Sequence, residues 1–268
     1  MRLYDAHNHL QDERFGGKQA GLLATCAQAG VVKMVVNGSC EEDWPLVLEL
    51  ARDHALVRAS VGYHPWYIHQ RGPDWEGNLR QVLDRGGVAV GEIGLDRWKP
   101  GLSYDGQEEA FVTQLRLAAE RDLPVSIHCL QAWGRLHELL RAGPRPPRGF
   151  LLHSYGGPQE MVAPLARLGA YFSFPGYYAH ERKTRQRETF RSVPPDRLLL
   201  ETDAPDQLPP ESCLRHPLQD PATGRAINHP ANLCAIHEFL AGFLGEPVEH
   251  LAARVEENFL RLFRFGPG

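Results

Sequence analysis

The chain has 268 residues, 43% of them hydrophobic, with a formal net charge of −4 and an isoelectric point near 6.4. That length suits one large core of the α/β-barrel size class, and the charge excludes a polyanion binder that works through bulk basicity. No apolar run is long enough to span a membrane, the first residues lack a signal-peptide apolar segment, and the five cysteines are scattered without a Cys-x-x-Cys pair; a cytoplasmic protein with reduced thiols, monomeric or weakly oligomeric, is expected.

Leu3 to Ala6 reads as a first strand that runs into His7 and His9. Gln19 to Ala29 is helix-like, and Val31 to Val36 is a buried strand closed by Asn37-Gly38. A helix from about Glu42 to His54 tolerates Pro45 in its first turn. A third strand, Leu56 to Val61, leads into Gly62-Tyr63-His64-Pro65-Trp66. Asp74 is a candidate N-cap for a helix to about Arg85. Val88 to Ile93 is the fourth strand, Gln107 to Arg121 an amphipathic helix, Pro124 to His128 the fifth strand, and Ala132 to Arg141 the next helix.

Residues 143–147 form a stiff connector too short to separate two cores. Phe150 to His153 is the sixth strand, and Pro158 opens a helix ending near Leu168. Ala170 to Phe174 is the seventh strand, His180 to Arg191 a polar helix, and Arg197 to Thr202 the eighth strand. Asp203 to Pro230 has neither period and reads as a functional loop. Two helices, about Pro230 to Leu244 and Pro247 to Phe263, close the sequence. Eight strands alternating with helices predict a (β/α)8 TIM barrel in a single unit over 1–268. A doubly wound sheet is the alternative, and it lacks a Gly-x-Gly-x-x-Gly turn after the first strand.

In such barrels the reactive groups sit at the C-terminal ends of the strands. His7 and His9 end strand one and share a face, because side chains alternate. Glu92 ends strand four, His128 strand five, His153 strand six and Asp203 strand eight. Each alone has a plain structural explanation; together, four imidazoles and two carboxylates suit two divalent ions, with Glu92 able to bridge them. A calcium site would want oxygen ligands only. Cys129, aimed at the opposite face from His128, reads as a core thiol.

These residues resemble the amidohydrolase superfamily, and the finer motifs resemble its TatD branch of metal-dependent deoxyribonucleases. The motifs are Asp5-Ala6-His7-Asn8-His9-Leu10, Gly62-Tyr63-His64-Pro65, Gly91-Glu92-Ile93-Gly94-Leu95-Asp96, His153-Ser154-Tyr155-Gly156-Gly157, Glu201-Thr202-Asp203-Ala204-Pro205 and Glu257 to Phe263. The resemblance implies that His7, His9, Glu92 and Asp203 hold one metal and Glu92, His128 and His153 a second, the ions being Zn²⁺, Mg²⁺ or Mn²⁺. It also implies that His64 faces the substrate near the scissile phosphate, and that Glu201 orients a ligand.

Two departures bear on substrate. The family pattern after the strand-five histidine is Arg-Asp-Ala, whereas this chain has Leu130-Gln131-Ala132. The Arg-Asn-x-Pro loop motif survives only as Ile227-Asn228-His229-Pro230, which puts Asn228 at the substrate as a binding residue. The expected reaction is hydrolysis of DNA phosphodiesters from an end, of the 3′-5′ exonuclease type, with Asp203, Glu92 and His64 catalytic. The expected substrates are DNA ends or short single-stranded nucleic acid, with Tyr63, Trp66, Tyr177 and Tyr178 read first as packing residues. The alternative is an amide, ester or lactone hydrolase on the same dinuclear centre.

Overall fold

The computed structural model describes residues 1–85 and 89–263; Val88, expected to begin the fourth strand, lies outside them. Eight strands form one sheet in sequence order: β1 (Leu3–Asn8), β2 (Val31–Asn37), β3 (Val57–Val61), β4 (Ala89–Asp96), β5 (Val125–Leu130), β6 (Phe150–Leu152), β7 (Ala170–Pro175) and β8 (Leu198–Glu201). Every neighbouring pair in that order is parallel. The expected barrel is what forms, because short apolar runs must bury both faces, one against the barrel interior and one under the helices.

The helices are α1 (Gln19–Gln28), α2 (Trp44–Asp53), α3 (Trp75–Asp84), α4 (Tyr104–Arg121), α5 (Trp133–Ala142), α6 (Val162–Arg167), α7 (Thr184–Thr189), α8 (Leu233–Leu244) and α9 (Val248–Leu262). None of them is long and apolar enough to cross a membrane.

The seam between β8 and β1 is stitched by backbone and a buried acid. Asp203 N donates to His7 O at 2.9 Å and His9 N to Ala204 O at 2.8 Å. The Asp5 carboxylate accepts from Thr202 N at 3.0 Å and Thr202 Oγ1 at 2.5 Å. Two ligand-bearing strand ends are thereby fixed to each other.

Several elements differ from the expectation. Strand four continues to Asp96, and its register against β5 shifts between Val90 and Ile93, so Glu92 sits inside the strand rather than at its end. Gly91 and Gly94 flank it with φ of 155° and 150°. A Cβ on Gly94 would lie 1.9 Å from the carbonyl oxygen of His128, so glycine there lets β4 approach β5 where that histidine emerges. Helix α4 starts at Tyr104, earlier than Gln107, because Ser103 Oγ accepts from Gly106 N. Asp74 holds the N-cap position of α3, but its side chain makes no capping bond.

The polar stretch 180–191 is not one helix. A 3-10 turn (Glu181–Lys183), α7 and a second 3-10 turn (Phe190–Ser192) divide it, with Thr189 and Phe190 its buried side chains. So thin an apolar stripe leaves little packing to propagate a helix. The 203–230 segment holds a two-residue antiparallel ladder, β9 (Leu218–Gln219) with β10 (Ala226–Ile227), too short to leave a period in the sequence. Asp220 closes it by accepting from Ala222 N and Thr223 Oγ1.

Candidate metal centre and its cavity

All six expected ligands meet at the mouth of the barrel, with Glu92 in the middle. On one side, Glu92 Oε2 lies 3.3 Å from His7 Nε2 and 3.2 Å from His9 Nε2. Asp203 Oδ1 is 3.6 Å and 3.5 Å from the same two nitrogens. On the other, Glu92 Oε1 lies 2.9 Å from His128 Nδ1 and 2.7 Å from His153 Nε2. Glu92 Oε2 thus faces His7 and His9, and Oε1 faces His128 and His153 with His64 beside them.

The outer nitrogen of each ring faces an acceptor on the surrounding scaffold. His9 Nδ1 donates to Asn37 O at 2.8 Å, and His7 Nδ1 is 2.7 Å from Ser126 Oγ. His128 Nε2 is 3.0 Å from Asp96 Oδ2, and His153 Nδ1 is 3.6 Å from Glu201 Oε1. For His7, His9 and His128 such partners fix the tautomer and leave the inner lone pair aimed at the centre; His153 Nδ1 has no hydrogen-bond partner among the described residues. Glu201 is itself held by the hydroxyls of Ser154 and Ser173.

The electrostatics ask for positive charge. Burial works against ionised Glu92, yet His153, His64 and His7 hold its carboxyl well below the usual range. Burial likewise opposes a charged His9, yet Glu92 and Asp203 push it up to about 9. His7 is pressed down to about 4, first by burial. Asp203 is raised, mainly by burial. A dry cluster of nitrogen and oxygen donors that favours added positive charge fits divalent cations, whose binding displaces such protons. Three overlapping groups have ligand atoms within 4.8 Å of one another: His7, His153 and Asp203; His7, His9 and Glu92; and His64, Glu92 and His128.

His64 comes closer to the centre than a peripheral substrate contact would. Its Nε2 is 3.3 Å from Glu92 Oε1, while its Nδ1 accepts from Trp66 N at 3.1 Å and caps the 3-10 helix Pro65–Gln70. With Nδ1 spent as an acceptor, Nε2 carries the proton and His64 is a donor toward the cavity.

Asn228 is a correction. It is fully buried and does not border the cavity. Its Nδ2 donates to Thr202 O at 2.8 Å and its Oδ1 accepts from Asn232 Nδ2 at 3.1 Å. The loop needs that amide to satisfy a buried carbonyl beside β8, so none of it is left for substrate.

Two residues were not singled out from the sequence. Asp96, which the sequence marked only as the closing residue of the Gly91-to-Asp96 motif and by its even spacing from Glu92 on β4, holds His128. Gln207 Nε2 donates to Asp203 Oδ2 at 2.6 Å, from a left-handed backbone position (φ 48°) in the long loop, and no sequence signal marks it. The cavity over the centre measures about 880 Å³, and Trp66, Tyr177 and Tyr178 border it. Tyr63 instead packs edge-on against Trp44 and Trp75. Cys129 is buried, and burial pushes its thiol up.

A (β/α)8 barrel with this donor set at its C-terminal mouth has the architecture of a metal-dependent hydrolase. The comparisons narrow the class. A sequence profile of the TatD related DNase family matches residues 4–264, and the chain belongs to that family. It is 31% identical over 263 residues to the 3'-5' ssDNA/RNA exonuclease TatD of Shigella flexneri serotype 5b (strain 8401), covering 97% of this chain and 98% of the relative. It is 29% identical over 265 residues to the uncharacterized metal-dependent hydrolase YjjV of Escherichia coli (strain K12), covering 98% of both. The crystal structure of YjjV, described as a TatD homolog, superposes with a TM-score of 0.89 at 28% identity over 99% of each chain.

Proposed function

We propose that this protein is a metal-dependent exonuclease that hydrolyses phosphodiester bonds of single-stranded DNA or RNA from the 3′ end. The observation that carries the reading is Glu92, with one oxygen facing His7 and His9 and the other facing His128 and His153. The relative at 31% identity, named a 3'-5' ssDNA/RNA exonuclease, supports the substrate class. His7, His9, Glu92 and Asp203 would hold one divalent ion and Glu92, His128 and His153 a second. A mixed nitrogen and oxygen set accepts Zn²⁺, Mg²⁺ or Mn²⁺. Such ions supply Lewis acidity toward water and the phosphoryl group when bound.

The protein's own groups do the rest. Asp203, raised by burial and held at Oδ2 by Gln207, is the group that takes the proton from the attacking water. His64, with its proton on Nε2, donates to a phosphoryl oxygen and stabilises the charge that develops there. Ser126, Asn37 and Asp96 keep His7, His9 and His128 from rotating out of register. The net charge of −4 disfavours long duplex, so a short single-stranded end entering the cavity is the substrate form. The reduced, scattered cysteines accord with work in the cytoplasm.

The test offers metal-loaded protein two substrates: a 5′-labelled single-stranded oligonucleotide and a neutral carboxyl ester. The proposal predicts stepwise shortening of the strand from its 3′ end and negligible ester turnover. Ester hydrolysis with the strand left intact would overturn it in favour of carbonyl chemistry.

A further inference from the structure

We propose that Trp98 and Leu130 form a stacking subsite for the unpaired nucleobase at the end of the strand, so that this chain grips its substrate by a base face as well as by phosphate. The inference rests on the nuclease reading above and deepens it.

Among the described residues six large hydrophobic side chains are exposed: Met1, Leu46, Trp98, Tyr104, Leu130 and Leu260. Three of them, Leu46, Trp98 and Leu130, border the one cavity that holds the centre. Trp98 is 60% exposed, the most open of the six. Gathering apolar groups in water at a polar site signals a ligand with an apolar face.

Their positions are fixed rather than slack. Asp96 Oδ1 accepts from Trp98 N at 2.7 Å and Lys99 N at 2.9 Å, while Oδ2 accepts from Trp66 Nε1 at 2.6 Å and faces His128 Nε2 at 3.0 Å. One carboxylate therefore ties the Trp98 segment to a histidine of the centre. The β4–β5 register sets Asp96 opposite Leu130, and Arg97 N donates to Leu130 O at 2.9 Å. Leu130 and Trp98 therefore hang from neighbouring strand ends and border the same cavity.

The charge beside this lip selects the occupant. Lys99 Nζ sits 4.2 Å from the centroid of the Trp66 ring. On the β7 side of the mouth, Lys183 and Arg182 lie 4.8 Å and 5.2 Å from that of Tyr177. None of these three cations has a carboxylate partner among the described residues, whereas Arg14 at the same rim is paired with Asp12 and Asp206. Aromatic faces interleaved with unneutralised cations match a chain of flat bases joined by phosphates. A duplex hides its base faces, so the strand must arrive single.

The experiment uses the metal-loaded full chain and two single-stranded oligonucleotides, one ordinary and one with an abasic residue at its 3′ terminus. Loss of the base is expected to raise the wild-type KM about tenfold, the scale of one aromatic–base stack. Trp98→Ala should raise KM on the ordinary strand by a similar factor, with the penalty confined to the base-bearing end, and Trp98→Phe should recover most of it. Equal effects of Trp98→Ala on both strands, or no effect on either, would overturn the subsite while the nuclease reading stands. Failure of the wild type to shorten either strand would overturn that reading, and the subsite with it.

Discussion

Asp96→Asn separates the scaffold around the centre from the ligands themselves. The carboxylate takes four contacts at once, from Trp98 N, Lys99 N, Trp66 Nε1 and His128 Nε2. Burial alone would raise its pKa, but the bonds from His128, Lys99 and Trp66 hold it well below the usual carboxylate range. An amide keeps an acceptor for the two backbone N–H groups and turns its NH2 toward the indole and imidazole N–H groups, donor against donor. Two charge-assisted bonds of about 1.5–3 kcal/mol each are at stake, so a stability loss of about 3 kcal/mol is expected. For a chain of this size that lowers Tm by roughly 5 °C. His128, no longer held, should weaken metal binding by about 10- to 100-fold. Urea unfolding of the metal-free protein reads the first quantity, and competition against a chromogenic zinc chelator reads the second. A variant with the wild-type urea midpoint and wild-type zinc affinity would refute the claim that Asp96 orients His128.

His237 gives a pH signature remote from the centre. It is fully buried on α8, its Nδ1 meets Leu233 O at 3.0 Å, and its Nε2 has no partner among the described residues. Burial presses its pKa down to about 4. The unfolded chain therefore binds this proton first, and stability is lost as pH falls from the unfolded value near 6.5 toward 4. Between pH 7.5 and pH 5 this group alone should cost about 2 kcal/mol. His237→Leu should shrink the difference in unfolding free energy between those two pH values by that amount; an unchanged difference would show the imidazole is not the source. Asn228→Ala strips partners from Thr202 O and Asn232 Nδ2 and should cost about 2 kcal/mol of stability, with KM for an oligonucleotide unchanged. A raised KM at wild-type stability would instead return Asn228 to the substrate.

The cluster of histidines and carboxylates was legible because each of its members stands at or near the end of an apolar run, and a barrel turns such ends toward one mouth. His7, His9, His128, His153 and Asp203 needed only the count of strands and the alternation of side chains. Glu92 lies inside its strand and not at the end: Gly91 and Gly94 blur the strand signal, so the apolar pattern stops at Ile93 while β4 runs on to Asp96. That blurring hid the role of Asp96, the acid that ties His128 to the rim. Gln207 and Trp98 lie in loops, where orientation comes from tertiary contacts and leaves no period. Asn228 misled in the opposite way, since a matching motif fixes a residue's neighbourhood without saying whether its amide is spent on the backbone.

The most direct test of the account counts metal and cleavage in one sample. Chelator-stripped protein would be titrated with Mn²⁺, with bound ion per chain measured alongside shortening of an end-labelled single strand, for wild type and Glu92→Gln. Two ions per wild-type chain, cleavage from the 3′ end only once they are bound, and loss of both in the variant are expected. Full-rate cleavage by the stripped protein, or a Glu92→Gln variant that holds two ions and cuts normally, would contradict it.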